Sequence, residues 1–485
     1  MLMTSAHRAT AALLASTLLA GCMVGPDYRA PPRVAPLAEH APAFHRAQSA
    51  AVSLGPPAAR WWEALQDSEL NRLVEAALSG SPDIEAAQAR LRQSRALLQG
   101  QRRSLLPSAS ANAGLVYADG LGGVLGSNTS SGGGSSATSG AVTLYNTGFD
   151  ASWEIDLFGG RRRAVQSAVA QAEAVEADLE DVRVSLAAET AQAYITLRDQ
   201  QQRRALAAAS ADLEARLVGL AEQRRGQGVG SDLDVERLRS QLESTRAALV
   251  PLGGQIEESL DRVAVLTGRE PGALDAELAA ASPIPELPAV VAVDDPADML
   301  RRRPDIRAAE RRLAGQTAVI GQRTADLFPK LNLIGVIGWG ATDLDRLFDG
   351  TTSVAAPVLQ WNVLDLGRTR ARISQAEADR DEAAARYRGV VLNALEDAET
   401  ALSRLGHDRQ NVVALARVRA SADRAAALTR QRHQAGVATI SDVLDTERTR
   451  LAAEQDLATA HAQLTGAFVA LQKSLGLGWS APDGA

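Results

Sequence analysis

The 485-residue chain contains the same pattern twice. The segment Pro82–Ile84 returns at Pro304–Ile306 and Pro107 returns at Pro329, in each case 222 residues later. Three further matches are 208 residues apart: Trp153 with Trp361, Gly228–Val229 with Gly436–Val437, and Gly268 with Gly476. An internal duplication constrains the whole architecture, because each copy must form an equivalent structural unit. The change of spacing places an insertion between Pro107 and Trp153.

Each copy is predicted to contain a hairpin of two long helices. The first copy has a short helix from Pro82 to about Ser104, then Arg161–Arg225 and Leu233–Leu266; the second has Arg368–Ala435 and Ile440–Leu475. The longest would extend roughly 100 Å at 1.5 Å per residue. Apolar residues recur every seven positions, as in the row Val235, Leu242, Leu249, Ile256 and Val263. This period indicates coiled-coil packing.

Glycines and a proline interrupt the helical pattern. Gly226–Gly230 and Ala435–Thr439 are the predicted turns at which each hairpin reverses. Pro251, followed by Gly253–Gly254, predicts a kink in the second helix of the first copy. Trp61 and Trp62 precede the first helix and are expected to be packing residues.

Two strand-like stretches precede the long helix in each copy. They are Ser108–Asp119 and Val142–Asp156 in the first copy, and Lys330–Gly340 and Val354–Asp365 in the second. Each is about as long as the 9–11 residues that a tilted membrane strand needs. Four strands cannot close a barrel, and an open sheet edge is not tolerated in lipid. If these strands enter a membrane, several copies of the chain must build one barrel.

The N-terminus has the pattern of a secretory signal that ends at the only cysteine. His7 and Arg8 precede the uncharged run Ala9–Ala20, which is shorter than the about 20 apolar residues of a membrane span. Leu19–Cys22, Leu-Ala-Gly-Cys, resembles the bacterial lipobox, in which the cysteine is lipidated. We therefore expect a lipid-anchored mature chain that begins at Cys22. An ordinary signal peptide with an incidental cysteine is the alternative.

Charge and motif content argue against several classes of function. Lys and Arg number 51 against 58 Asp and Glu, and the net charge of −7 argues against a nucleic-acid binder. No HExxH, GxSxG or phosphate-loop GKS or GKT motif occurs, and six scattered histidines offer no metal cluster. We therefore expect no enzyme and no cofactor or metal site.

Several segments, taken in order, resemble the TolC-like outer membrane factors, in particular their OprM/NodT lipoprotein branch. They are CMVGPDYRAPP from Cys22, WWEALQDSELNRLVEAAL from Trp61, WEIDLFGGRRR from Trp153, DMLRRRPDIRAAERRL from Asp298, LFPKLNL from Leu327, WNVLDLGRTR from Trp361 and QAGVATISDVLD from Gln434. The resemblance covers nearly the whole mature chain.

The resemblance implies a mainly α fold with β. Four strands per protomer would give a twelve-stranded outer membrane β-barrel in a homotrimer, and a long periplasmic α-helical barrel would continue it, with an internal twofold repeat. The chain would be the exit duct of a tripartite efflux system in a Gram-negative bacterium. An inner-membrane pump of RND type, linked by a periplasmic adaptor, would drive small molecules into this passive duct. The other partner is outer membrane lipid.

The expected organisation along the chain follows from these assignments. It comprises a lipoprotein signal peptide at 1–21, a lipid-anchored extended segment at 22–60, a first repeat at 61–280 with its β-hairpin at about 108–156, a Pro-rich linker at 281–297, a second repeat at 298–478 with its β-hairpin at about 330–365, and a tail at 479–485.

Two acids near the start of the last helix are candidates for a gate. Asp442 and Asp445 are three residues apart, hence on one helix face. By the resemblance they match the acidic ring at the periplasmic tip of TolC. Crowded carboxylates around a threefold axis would bind cations and make a closed tip selective. Helix N-terminal acids favoured by the macrodipole are the alternative. Arg432 and His433 are candidate gate partners, with a solvated arginine and a solvated histidine as the alternatives.

The resemblance also assigns the hairpin tips and a set of aromatic residues. The tips that would contact the adaptor are Gly228, Val229, Gly230 and Ser231, and Gly436, Val437, Ala438 and Thr439. Plain turn chemistry explains these glycines equally well. The candidate interfacial aromatics are Tyr117, Tyr145, Trp153, Trp339 and Trp361, which could instead pack between strands.

A second class of function shares the helices. A non-conducting surface coiled-coil lipoprotein scaffold would have the same seven-residue repeats, but it would not need paired strands at equivalent places in both copies.

Overall fold

The computed structural model describes residues 23–47, 52–118 and 142–479. The chain divides into two compact units. The sheet unit comprises the described parts of Met1–Pro31, Arg92–Glu173 and Glu310–Ala385; the helical unit comprises those of Pro32–Leu91, Ala174–Ala309 and Arg386–Ala485. The expected signal peptide, Cys22 and residues 119–141, which lie within the expected insertion between Pro107 and Trp153, are outside the described residues.

Helices dominate the described chain. They are α1 Pro36–Glu39, α2 Ser68–Gly80, α3 Pro82–Arg103, α4 Gly160–Gly226, α5 Asp232–Leu266, α6 Asp275–Leu278, α7 Pro296–Arg302, α8 Pro304–Ala325, α9 Leu366–Gln434 and α10 Ile440–Ser474. The five long helices predicted from the sequence are confirmed, with every end within two residues of the prediction. Helix α5 continues through Pro251, and the kink there stays a prediction. No helix among these residues combines the length and apolar character needed to cross a membrane.

Two sheets are present in the described residues. The strands β2 Ser108–Ala118, β3 Val142–Ile155, β5 Lys330–Ala341 and β6 Thr351–Gln360 form an antiparallel sheet in the order β2-β3-β5-β6. The short strands β1 Val52–Leu54 and β4 Val291–Val293 pair in parallel in the helical unit. The larger sheet joins the hairpins of both sequence copies, β2–β3 from the first and β5–β6 from the second.

The predicted bounds of the last strand were wrong. The strand was expected at Val354–Asp365, but β6 spans Thr351–Gln360 and Trp361 lies outside it. Gln360 pairs with Lys330, the first residue of β5. Because β5 has no residue before Lys330 left to pair, β6 ends there, and a short 3-10 turn at Val363–Asp365 leads into α9.

The core of the helical unit is built around two tryptophans. Trp61 and Trp62 are each 2% exposed and meet edge to face, with ring centroids 5.6 Å apart. Trp61 also contacts the ring of Phe468 in α10, at 6.0 Å between centroids. Edge-to-face pairs at such separations are favourable beyond the area they bury. The prediction that these tryptophans are packing residues is confirmed.

The seven-residue rows also pack as the coiled-coil pattern requires. Val235, Leu238 and Leu242 of α5 are buried against Val218 and Ala221 of α4 in one apolar cluster near the hairpin turn. Alternating rows of this kind hold two helices side by side along their length.

Candidate functional site

Both helical hairpins reverse through the same main-chain geometry. Gly228 and Gly436 have φ of +74° and +75°, a region that favours glycine. In the first turn, the amides of Gly228 and Val229 donate to the carbonyls of Arg225 and Arg224 at 2.9 and 3.1 Å. The bonds from Gly436 to His433 and from Val437 to Arg432, at 3.0 and 2.9 Å, repeat them. These are Schellman endings, in which two orphan carbonyls of the helix are satisfied.

The apex of each hairpin carries an exposed valine. Val229 is 74% exposed and Val437 is 63% exposed. In a Schellman ending the residue after the glycine often packs against the last turn of the helix. Here that turn offers Arg224 and Arg432, so both valines remain in solvent. The two copies thus present the same apolar contact at equivalent positions.

Asp442 is committed to the N-terminus of its own helix. The Thr439 amide and hydroxyl each donate to the Asp442 carboxylate at 2.8 Å, and the Asp442 amide donates back to the Thr439 hydroxyl at 3.1 Å. This is a capping box. The hydrogen bonds from Thr439 lower the pKa of Asp442 below its ordinary 3.8, and the positive charge of Arg432 adds to the effect. The carboxylate is therefore charged at neutral pH.

Asp445 lies one turn further along α10 and is exposed, as Asp442 is. The capping box shows that Asp442 has the helix-terminal role that was given as the alternative to a gate. This role is compatible with a gate, since the hydrogen bonds of the capping box keep the Asp442 carboxylate charged and in a fixed position.

His433 closes the second turn from inside. Its Nδ1 lies 2.9 Å from the carbonyl oxygen of Ala438, and because a carbonyl only accepts, Nδ1 carries the proton. The side chain is half-buried, and Nε2 has no exposed surface and no hydrogen-bond partner. The ring therefore braces the turn between α9 and α10, and both the gate-partner role and the solvated-histidine alternative stay predictions.

A charge cluster around one buried glutamate, behind the second tip, could not be predicted from the sequence. The Glu447 side chain is 6% exposed and pairs with Arg430 of α9 and Arg450 of α10, each at 2.9 Å. Arg450 also pairs with Glu454 at 3.0 Å. The sequence indicates only that Glu447 lies seven residues after Ile440, on a row that should pack. The cluster ties the two helices together just behind the gate candidates.

The register of the large sheet places its aromatic side chains on one face and its charged and amide side chains on the other, while other apolar side chains occur on both faces. Residues paired directly across antiparallel strands share a face, and alternate residues along a strand share a face. By this rule one face carries every aromatic side chain of the four strands: Tyr117, Tyr145, Phe149, Trp153 and Trp339. The other carries every charged or amide side chain: Asn112, Asn146, Asp150, Glu154, Lys330, Asn332 and Gln360.

The aromatic face has the dimensions of a lipid-facing surface. Tyr117, Tyr145 and Trp339 lie toward the loop ends of the strands, and Trp153 lies near the helix end. Tyr145 and Trp153 are eight residues apart on β3, or about 27 Å along a strand. The apolar band of outer membrane strands is about 25 Å tall and flanked by aromatic girdles. Between them lie exposed apolar side chains, among them Phe149 and Ile337.

The tryptophans at the helix end are also fixed by hydrogen bonds. Trp153 donates to the carbonyl of Leu105 at 2.9 Å and Trp361 to that of Leu327 at 3.1 Å.

No group of three or more His, Cys, Asp or Glu side chains in the described ranges could hold a metal ion.

Comparison with known proteins agrees with this geometry. The family model "Outer membrane efflux protein" matches residues 73–269 and 296–477. Nodulation protein T of Rhizobium leguminosarum bv. trifolii is 30% identical over 467 residues, which cover 96% of each chain. The pyoverdine export outer membrane protein OpmQ of Pseudomonas putida is 32% identical over 443 residues, 91% of this chain and 92% of the relative.

A solved structure extends the agreement to three dimensions. The outer-membrane channel OprN superposes with a TM-score of 0.84 at 36% identity, over 94% of this chain and 99% of that one. The internal repeat, the four strands and the paired long helices all lie within the matched region. The chain belongs to the outer membrane efflux proteins, and it is an outer membrane exit duct with a large periplasmic part.

Proposed function

We propose that three copies of this chain form one duct. Within the described residues of one protomer, the large sheet has the order β2-β3-β5-β6, so β2 and β6 each lack a partner on one side. Unpaired main-chain groups are not tolerated in lipid, so neighbouring copies must supply the missing strands. Three protomers supply twelve strands, which exceeds the about eight needed to close a barrel. The aromatic face turns to the lipid and the charged face to the lumen.

The long helices would line the periplasmic part of the duct. Helices α4, α5, α9 and α10 of three copies would surround a channel wide enough for small molecules. An inner-membrane pump, of RND type, delivers the exported molecule through a periplasmic adaptor, as the tripartite arrangement requires. The duct itself performs no chemistry and conducts passively. Its relative OpmQ is named for pyoverdine export, which supports a small molecule as the cargo.

The two hairpin tips are the proposed contact with the adaptor. Val229 and Val437 are apolar, exposed and repeated at equivalent positions, which supports a shared docking role. Replacement of both by aspartate should abolish co-purification of the adaptor. Val290→Asp is the matched control, since Val290 is 57% exposed in the linker before β4. Equal loss of the adaptor in the control would refute the assignment.

Asp442 and Asp445 are the proposed periplasmic gate, with Arg432 and His433 beside them. Six carboxylates around the threefold axis would attract cations and narrow the closed tip. The capping box supports this role, because it holds Asp442 charged in a defined place at the apex.

The proposed lipid anchor is Cys22, one residue before the described chain begins. Two or more acyl chains would give a stable attachment to the membrane. Intact mass of the mature protein tests this directly, since acylation adds the mass of a diacylglycerol group to residue 22.

The oligomeric state tests the duct itself. Light scattering of the detergent-extracted protein should give three times the mass of the mature chain. A monomer or dimer as the only species would refute the proposal, because neither can close the sheet. A non-conducting scaffold explains neither the two unpaired edges nor the sorting of side chains between the two faces.

A further inference from the structure

The N-terminal residues Met23–Asp27 lie beside the turn that joins β3 to α4. The Val24 amide donates to the carbonyl of Phe158 at 3.2 Å, in the turn between β3 and α4. Phe158 stacks on Phe328, with centroids 4.6 Å apart, at the corresponding point before β5. The N-terminal segment, Met23–Asp27, therefore lies against the junction of the sheet with its helices.

The N-terminal segment approaches α8 very closely. A Cβ on Gly25 would lie 2.4 Å from the Cα of Gly321 in α8, and Gly25 has φ of +87°. Only glycine fits such a position on both grounds. The segment thus lies in a cleft between the strand–helix turn and α8, and its path is defined by main-chain contacts.

The side chain of Arg163 in α4 binds this segment. Its side chain is 3% exposed. Nε donates to the Val24 carbonyl and Nη2 to the Gly25 carbonyl, both at 3.1 Å, and Nη2 also lies 2.8 Å from an Asp27 carboxylate oxygen. Nη1 donates to Gln166 of the same helix at 3.0 Å. Three of these four contacts are to the N-terminal segment.

A buried guanidinium is costly unless its donors and its charge are satisfied. Release of the segment would take two carbonyls and one carboxylate away from Arg163. Arg163 thus loses three of its four polar contacts if the segment is released, and the segment loses the same three contacts if Arg163 is replaced.

The internal repeat provides a comparison within the same chain. The motifs WEIDLFGGRRR and WNVLDLGRTR share the pattern Gly-Arg-x-Arg at Gly160–Arg163 and Gly367–Arg370, so the counterpart of Arg163 is Arg370, which is exposed. At the spacing of 222 that relates α3 to α8, the counterpart of Gly321 is Gln99. The other copy thus has an equivalent arginine, which is exposed instead of buried, and it lacks the glycine that receives the segment. The chain has one N-terminus to hold, and only one copy carries the means to hold it.

We propose that Arg163 is the positioning residue for the lipid anchor: it fastens the N-terminus at the base of the membrane strands, so that the acyl chains enter the bilayer at that level. This rests on the proposed lipidation of Cys22, which is covalently next to Met23. The contacts of Arg163 with Val24, Gly25 and Asp27 form a clasp on the segment. If the clasp and the Val24–Phe158 bond are both lost, Tyr28 still holds the chain through its hydroxyl, which donates to Glu310 at 3.1 Å. Residue 22 could then move by about 20 Å on a six-residue tether.

Hydrogen exchange of the intact trimer tests the clasp. In Arg163→Gln, amides of the peptide 23–31, above all Val24, should exchange at least tenfold faster than in the parent protein. Arg162→Gln is the matched control, because Arg162 is the adjacent residue and binds Asp156 instead of the segment. Gly25→Ala should release the same peptide from the other side, with Arg163 intact. Unchanged Val24 exchange in folded trimers of both test variants would overturn the proposal.

A second experiment separates anchor positioning from general stability. In the Cys22 protein, Arg163→Gln should lower the amount of outer membrane trimer at least threefold. In a Cys22→Ser protein exported behind a non-lipoprotein signal, the same substitution should cause no further loss, because there is no lipid to position. Equal losses in both backgrounds would show that Arg163 only stabilises the fold. If mass analysis finds no acyl group, the proposed lipid anchor fails, whereas the exchange experiment still decides the clasp.

Discussion

The indole nitrogen of Trp153 donates to the main-chain carbonyl of Leu105 at 2.9 Å, across the gap between β3 and the end of α3. The second copy repeats the bond with Trp361 and Leu327 at 3.1 Å. The tryptophans are 208 residues apart and the acceptors 222, the two spacings found in the sequence. The duplication has thus kept one tether between helix end and strand end in both halves.

The tethers should contribute measurably to stability. Trp153→Phe and Trp361→Phe each keep an aromatic ring but lose the donor, so we expect each to cost about 1 kcal/mol. The thermal midpoint of the trimer in detergent should fall for both. Trp339→Phe is the control, because its ring contact with Phe348 persists. An equal fall in the control would contradict the role of the indole bond.

Tyr194 should make the helical unit sensitive to high pH. Its buried hydroxyl donates to Asp67 at 2.8 Å, and burial raises the pKa of Tyr194 to about 12 from its ordinary 10. The folded state therefore holds this proton more tightly, so the resulting stability is full below pH 10 and is lost as pH rises toward 12. Tyr194→Phe should cost about 1 kcal/mol at neutral pH.

The difference in thermal midpoint between the parent and Tyr194→Phe should shrink from pH 10 to pH 12. A difference that stays constant across this range would contradict the assigned origin of the shift.

Glu447 should hold the second hairpin together behind its tip. Glu447→Gln removes the carboxylate that pairs with Arg430 and Arg450, and loss of such charged contacts should cost about 1.5 kcal/mol, because Arg430 is half exposed and Arg450 keeps Glu454. Amide exchange around Val443–Arg450 should then rise roughly tenfold. Glu243→Gln, which breaks an exposed pair with Arg246, should have little effect. Similar exchange in the two variants would rule out a special role for Glu447.

The gate candidates should limit conductance. Asp442→Ala combined with Asp445→Ala should raise single-channel conductance severalfold and weaken cation selectivity. Because hydrogen bonds lower the pKa of Asp442 below 3.8, its charge should persist from pH 8 to pH 5 and be lost only in stronger acid. Asp234→Ala, the counterpart of Asp442 on the first hairpin, is the control. Unchanged conductance in the double variant would remove the gate assignment.

The helices and strands could be predicted from the spacing of apolar residues, because this spacing depends on local backbone geometry. The ends of α4 and α9 were predictable from Gly228 and Gly436, since each forms a turn with its own neighbours. The end of β6 was not, because it depends on where β5 begins. The sorting of the two sheet faces required the register, which local alternation leaves undefined.

The contact between Arg163 and the N-terminal segment was even harder to predict from local sequence. Arg163 and Val24 are 139 residues apart, and no sequence pattern around either residue predicts the contact. For His433, the acceptor at Ala438 follows from the shape of a turn that the sequence predicts only as a reversal.

Single-channel recording of the purified mature protein in planar lipid bilayers tests the central claim most directly. Three protomers that close one barrel should insert and produce uniform, cation-selective conductance steps, each from one trimer. A protein that remains a water-soluble monomer and never produces such steps would contradict the account.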